Sequence, residues 1–307
     1  MILISGEALI DLIPDPEHEG RYDAVLGGSP YNVALGLARL GGPACFISRL
    51  SADANGEALA ASLADEGVDL SLVARDPRPT TLAFVMRGTA QTGSRYSFYL
   101  DGTCYDGEWP FPAQWPASAR HLHVGSFAAV ERHGARVAQA MQQAAAEATV
   151  SFDPNIRPFV TPDRDRVLAR VEAEVALAHI VKASEEDLAW LYPGRGLEDT
   201  LRAWAALGPQ ICIATLGAEG ALAYLGAQRL EIAPRRIALV DTVGAGDSFM
   251  SSLLFAMNRD GALGAGAPKP TVAKLAAWTD FAARASAITC TRKGSNPPTL
   301  AEVEAAP

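Results

Sequence analysis

The residues Asp241-Thr242-Val243-Gly244-Ala245-Gly246-Asp247 put a carboxylate directly after a glycine-rich turn and directly before an apolar run, Ser248-Phe249-Met250. Ahead of them Arg236 to Val240 has strand character, and Phe249 to Met257 reads as a buried helix. Glycines let backbone approach a ligand closely, and the N–H groups at a helix start attract anions. An Asp in that first turn has two uses. It can cap the helix, or it can accept a proton from a nucleophile attacking a phosphate held by those N–H groups. A second glycine pair, Gly27-Gly28, precedes Ser29-Pro30-Tyr31-Asn32-Val33-Ala34. Pro30 suits the first turn of a helix, and Asn32 offers a donor and an acceptor one turn in.

Taken together, the two motifs resemble the signatures of the PfkB, or ribokinase-like, carbohydrate kinase family: G-G followed by N-x-A near the start, and D-T-x-G-A-G-D in the last third. Both stand here in that order. The resemblance implies an ATP-dependent sugar kinase using Mg²⁺, with Asp247 as catalytic base and the N–H groups of the Gly244, Ala245, Gly246, Asp247 turn as an anion hole. No G-x-x-x-x-G-K-[ST] loop is present, so a Walker-type phosphate site is excluded.

The same resemblance gives roles to further residues. Asp11, which interrupts an apolar run after the first strand, and Gly27, Gly28 and Asn32 match sugar-binding positions; a carboxylate and an amide together can read vicinal hydroxyls. Asp153, Asn155 and Arg157 alternate after a strand, and D-x-N-x-R resembles the loop of fructokinases and 2-keto-3-deoxygluconate kinases. By residue type alone this is an Asp-Pro turn before a helix cap at Thr161. Ser184 and Asp187 stand where the family has N-x-x-E, implying a place near the Mg²⁺–phosphate waters, with Asp187 acting on Mg²⁺ through water; S-x-x-D is also a helix-start pattern. Thr215, Gly217 and Gly220 resemble the T-L-G-x-x-G nucleotide loop. Asp241, Val243 and Gly294 match the loops that hold an activating K⁺, although Pro298 replaces a serine used by some ribokinases. The opening Gly6-Glu7-Ala8-Leu9-Ile10-Asp11 and the form G-G-S-P-x-N-V-A are most similar to bacterial fructokinases. Phosphorylation of D-fructose at O6 is therefore the expected reaction. The alternative within the family is 2-keto-3-deoxygluconate, whose carboxylate Arg87 or Arg95 could meet. A different class, an inactive sugar-binding regulator on the same fold, fits less well because Asp247, Gly244 and Gly246 are all kept.

These residues need a scaffold, and the pattern supplies one. Apolar strand candidates at Met1–Ser5, Ala44–Leu50, His121–Val124, Thr149–Asp153, Ile180–Ala183, Ile211–Leu216 and Ala221–Tyr224 alternate with helical stretches. The helices are expected at Tyr31–Leu40, Asn55–Asp65, Glu131–Glu147, Asp163–Ala173, Leu197–Trp204, Ser248–Asn258 and Thr271–Thr289. Such alternation implies an α/β fold: a mostly parallel sheet covered by helices on both faces, with ligands outside the carboxyl ends of the strands. Segments of about 12–26 and 79–106 break the alternation and read as a small β-sheet, with a turn over Gly88–Gly93. The family resemblance makes that sheet a lid and a homodimer contact within a single domain over residues 1–307.

Composition bounds the rest. Of 307 residues, 49% are hydrophobic, enough for a large core, and the net charge of −9 with no basic block speaks against a nucleic-acid surface. The apolar start breaks at Gly6-Glu7 without a basic flank, so it reads as a strand and not a leader, and no run reaches membrane-spanning length. Cys45, Cys104, Cys212 and Cys290 are far apart, which suits a reduced, cytoplasmic protein. His121 and His123 lie two apart on a strand without a third ligand, and read as packing residues.

Overall fold

The computed structural model describes residues 1–15, 17–86 and 95–306, leaving the side chains of Arg95 and Tyr96 aside. The Gly88–Gly93 turn and Arg87 lie outside the described residues. In chain order the first half contains β1 (Ile2–Ser5), β2 (Leu9–Pro14), β3 (Tyr22–Gly27), α1 (Ser29–Arg39), β4 (Ala44–Ile47), β5 (Arg49–Ser51), α2 (Ala54–Asp65), β6 (Ala74–Asp76), β7 (Leu82–Met86) and β8 (Arg95–Tyr99). Next come β9 (His121–Gly125), α3 (Ser126–Val130), α4 (Gly134–Ala145), β10 (Thr149–Asp153), α5 (Arg164–Val175), β11 (Ile180–Ser184), α6 (Glu185–Leu191) and α7 (Leu197–Leu207). The chain closes with β12 (Ile211–Thr215), β13 (Ala221–Leu225), β14 (Gln228–Ile232), α8 (Ala245–Arg259), α9 (Val272–Cys290) and α10 (Leu300–Ala305).

Eight strands form one sheet in the order β14-β13-β12-β11-β10-β9-β1-β4. From β4 to β12 neighbours run parallel, whereas β13 and β14 add antiparallel at one edge. The inner strands are near-continuous apolar runs because both of their faces are covered. One face packs Ile2, Ile4, Ile180 and Ile213 against α1, α8 and α9, and the other packs Leu3, Leu122, Val150 and Val181 against α4, α5 and α7. From β1 the chain crosses to β4 on one side, and β9 lies on the other. The crevice for a ligand therefore opens at the carboxyl ends of β1 and β9, where strand order reverses.

The lid expectation is met by a separate four-stranded sheet, β3-β2-β7-β8. Asp11 belongs to this sheet, on β2; Ala83 and Val25 flank it on the same face. Other expectations shift. The Ala44–Leu50 strand splits at Ser48, whose hydroxyl donates to Gly6 O, and β5 leaves to pair with β6. The Glu131–Glu147 helix starts at Gly134, preceded by the short α3 that the sequence did not suggest. Asp163, not Thr161, caps α5 by accepting from Arg166 N at 3.1 Å. The stretch Arg236–Val240 is not a strand: β14 already forms the sheet edge, and the stretch is held by Val240 N and Asp241 N donating to Cys290 O.

Asp53 ties the lid root to the body. Its carboxylate caps α2 through Gly56 N (2.8 Å) and also accepts from Thr80 N (2.8 Å) and Thr80 Oγ1 (2.6 Å), just before β7. Burial pushes this carboxyl up, but the bonds from Thr80 and Gly56 outweigh it and hold the group at about 2, below its ordinary 3.8. Its contribution is therefore complete above the unfolded-state value and is lost as pH falls through the folded one. Asp53→Ala is expected to cost about 1–2 kcal/mol in urea unfolding at neutral pH. The gap to wild type should close as pH drops from 3.8 toward 2; a gap that persists there would assign the loss to packing.

Candidate active site

The carboxyl end of the sheet gathers the sequence motifs through three helix starts. At α8, Gly244 adopts a left-handed φ of 77°, and a Cβ there would lie 2.2 Å from Ser295 Oγ, so only glycine fits. Ala245 N donates to Thr242 O at 3.2 Å, which removes it from the expected anion hole. Among the described residues the N–H groups of Gly246 and Asp247 have no backbone acceptor outside the helix, as the first turn of a helix leaves them.

Asp247 is 8% exposed and faces α1, not its own helix start. Ser29 Oγ donates to its Oδ1 at 2.7 Å and Asn32 Nδ2 to its Oδ2 at 2.8 Å. The two motifs, more than two hundred residues apart, thus meet on one carboxylate. Burial pushes its carboxyl up, and Ser29, Asn32 and Lys182 pull against that shift. The capping use is ruled out by this arrangement: the helix has no side-chain cap, and both oxygens are taken by α1. The second polar atom of Asn32, Oδ1, is buried without a partner, an acceptor aimed at nothing within the protein.

Opposite α8, Lys182 on β11 donates to Asp153 Oδ2 on β10 at 2.6 Å, with both side chains at most 5% exposed. Burial disfavours the ammonium, but Asp153 and the nearby Asp247 and Asp187 raise its value overall. Its Nζ lies so close to the α8 start that a Cβ on Gly246 would come within 2.8 Å. A fixed cation therefore stands beside the two free N–H groups, the environment that a phosphate requires. The sequence motifs give Lys182 no role. The signal was available: a lysine inside an otherwise apolar strand run, Ile180-Val181-Lys182-Ala183, needs a buried partner.

Asp187 completes a capping box with Ser184, accepting Ser184 N (2.9 Å) and Oγ (2.7 Å) on Oδ2. Its Oδ1 accepts Ile156 N at 2.8 Å, clamping the 153–157 loop. The helix-start reading of S-x-x-D is the one in view. In that loop Asn155 takes φ 38° and donates its N–H to Asp153 Oδ1, while Arg157 Nη1 donates to Ile156 O at 3.0 Å. Arg157 is the cation felt by three buried carboxyls: Asp187, Asp11 and Glu7. Burial raises Asp11 to about 6 and Glu7 to about 7, with Arg157 working against both shifts. Asp11 lies against Gly27 under the lid. Glu7, a second residue without an assigned role, accepts from Ala128 N at 3.4 Å and holds the α3 turn beside the crevice.

The nucleotide-loop residues stand one strand further on. Ser184 and Thr215 are register partners on β11 and β12, Thr215 Oγ1 donates to Ala183 O, and Gly217 and Gly220 both take positive φ in the turn that follows. Asp241 joins two loops, accepting Val243 N at 3.1 Å and Gly294 N at 2.8 Å. Among the described residues no group of three His, Cys, Asp or Glu side chains could hold a metal by itself. His121 and His123 share Ser151 Oγ, and burial holds both neutral, so they are packing residues as read from sequence.

Comparison with known proteins agrees with this layout. The family model described as pfkB family carbohydrate kinase matches residues 1–302. A fructokinase of Rhizobium leguminosarum bv. trifolii is 36% identical over 270 residues, covering 86% of this chain and 81% of its own. A fructokinase double mutant from Vibrio cholerae O395, solved in a fructose, ADP and potassium ion bound form, superposes with a TM-score of 0.85 at 28% identity, covering 99% of this chain and 97% of its own. The Xylella fastidiosa fructokinase with bound ATP reaches a TM-score of 0.87 at 27% identity, with 99% and 96% covered.

Lys182 and Asp153 form a closed pair, so removing one partner strands a buried charge. Lys182→Met is expected to cost about 3–5 kcal/mol in urea unfolding. Adding Asp153→Asn should restore part of that loss; additive losses would show that the two side chains act independently.

Proposed function

The chain belongs to the pfkB family of carbohydrate kinases, and on that premise we propose that it is an ATP-dependent fructokinase, phosphorylating D-fructose at O6 with Asp247 as the base. The observation that carries the reading is the double engagement of the buried Asp247 carboxylate by Ser29 and Asn32, which joins the two sequence motifs on one group. Asp247 takes the proton of the sugar hydroxyl as that oxygen bonds to the γ-phosphorus of ATP, the bond from that phosphorus to the β–γ bridging oxygen breaks and ADP leaves, and Lys182 balances the charge that gathers on the phosphoryl oxygens. The free N–H groups of Gly246 and Asp247 hold the same oxygens. Asn32 Oδ1, Asp11, Gly28, Asn155 and Arg157 receive the sugar, and the orphaned Oδ1 fits a sugar hydroxyl as donor.

The nucleotide phosphates fit the Thr215, Gly217, Gly220 turn and Lys182. Mg²⁺, when bound, neutralises phosphate charge, and the Ser184 and Asp187 oxygens suit it through waters because direct ligation would break the capping box. K⁺ fits the two loops that Asp241 joins, those of Val243 and Gly294.

Charge favours fructose over 2-keto-3-deoxygluconate. Glu7, Asp11 and Asp187 all feel the charge of Arg157, and this excess of carboxyls over cations among the described residues favours hydroxyl donors over a substrate carboxylate. The side chains of Arg87 and Arg95, offered from the sequence as partners for that carboxylate, lie outside the described residues.

The partner of the lid is a second copy of this chain. On the face away from Asp11, Tyr22, Phe84 and Tyr99 stack edge to face at 5.4 and 5.5 Å, and Tyr22, Met86 and Tyr99 are 45–58% exposed. An aromatic patch of this kind on a sheet calls for a cover. The cytoplasm is the compartment proposed, since all four cysteines are free thiols.

Two experiments test these points. In an ADP-release assay with ATP and Mg²⁺, fructose should turn over and 2-keto-3-deoxygluconate should not. Asp247→Asn should lower kcat by about 10²–10⁴ while fructose still binds. Turnover of the keto acid in place of fructose would overturn the substrate, and silence of wild type on every sugar would favour a regulator. By light scattering at micromolar protein the mass should be that of a dimer, and Tyr99→Glu should halve it; a monomeric wild type would remove the lid contact.

A further inference from the structure

We propose that Ser29 is a positioning residue for the base: its hydroxyl fixes the orientation of the Asp247 carboxylate and keeps it ionised as the sugar hydroxyl approaches. The proposal rests on the reading of Asp247 as base and adds to it a residue of the first motif that the family pattern leaves without a role.

Three observations carry it. First, the contact is short and sheltered: Ser29 is 9% exposed, Asp247 is 8% exposed, and Oγ donates to Oδ1 at 2.7 Å. A hydrogen bond to a buried carboxylate is charge-assisted and roughly twice as strong as a neutral one. Second, the division of labour is visible. Asn32 Nδ2 holds the other carboxylate oxygen, while its own Oδ1 is buried with no partner among the described residues, a second polar demand that Ser29 does not carry. Ser29 donates to Asp247 and is left with no second polar task. Third, the surrounding charges do not replace it. Lys182 on β11 is engaged with Asp153 on β10 at 2.6 Å, Asp153 itself opposes ionisation of Asp247, and Asp187 on α6 lies on the Lys182 side. The groups that bond the carboxylate directly are thus the two neutral donors of α1.

The sequence places Ser29 with little freedom. It opens α1 between Gly28, whose φ of 110° lets the backbone pass over Glu7 O, and Pro30, which fixes the next φ. With Oγ removed, one carboxylate oxygen loses its donor. The ionised form is less favoured, and the group pivots about the remaining Asn32 bond.

The test is Ser29→Ala, assayed for kcat and KM over about pH 5 to 9 beside wild type and Asp247→Asn. We expect kcat to fall about tenfold near neutrality, the worth of one charge-assisted bond. The acidic limb of the kcat profile should move up by about one pH unit, because a base that has lost a donor protonates more readily. KM for fructose and ATP should stay within about twofold. Ser29→Thr, which restores the hydroxyl, should bring the limb back. A wild-type kcat with an unmoved limb in Ser29→Ala overturns the proposal. So does a raised KM for fructose with an unmoved limb, which would make Ser29 a sugar ligand. If instead Asp247→Asn retains turnover, the reading of the base fails, whatever Ser29→Ala does.

Discussion

A buried carboxylate is costly to keep ionised, and on the reading proposed for it Asp247 must be both buried and charged. Its burial opposes ionisation, so the protein surrounds it with two donors from α1 and a cation from β11. Much of the remaining architecture follows. Helices α1 and α8 must pack on the same face of the sheet with their starts adjacent, and β11 must deliver a lysine between apolar neighbours. Lys182 in turn needs Asp153, because an unpaired ammonium at that depth would discharge. The pair and the base form one electrostatic unit spread over α1, α8, β10 and β11. None of its members has a favourable environment without the others.

Which parts of this could be read from the sequence follows from how local each cause is. Central strands and most helices were legible because apolar period and cap residues act within a few positions. The Arg236–Val240 stretch misled because its residue types suit a strand, whereas strandhood depends on a partner, and β14 had already closed the edge. The Ala44–Leu50 run misled for the opposite reason: its apolar content is continuous, but Ser48 bonds Gly6 O and turns the second half toward β6. Asp11 was singled out without an element of its own, since the short gap between β1 and β2 conceals a change of sheet.

The site divides in the same way. Asp247, Asn32 and the glycines came from motifs, whose spacing survives in one dimension. The contacts of Ser29, Lys182 and Glu7 could not be read that way, because each acts across the fold: Ser29 on a carboxylate 218 positions away, Lys182 on a neighbouring strand, Glu7 on the α3 turn. A buried ionisable residue in an apolar run was the available sign for Lys182 and Glu7. Ser29 offered none, since a serine at a helix start is ordinary. The anion hole was also overcounted. Spacing offered the N–H of Ala245, but a turn closing on Thr242 O had claimed it.

Strand β3 ends at Gly27 and α1 begins at Ser29, so a single residue joins the lid sheet to the helix that grips the base. Mechanically this is a lever with its pivot at Gly28. The strand on one arm and the two donors on Asp247, Ser29 and Asn32, on the other share that one backbone joint. At another root of the small sheet Asp53 pins the chain at Thr80, just before β7. The small sheet and the Asp247 carboxylate are thus coupled by covalent proximity, through a joint one glycine long.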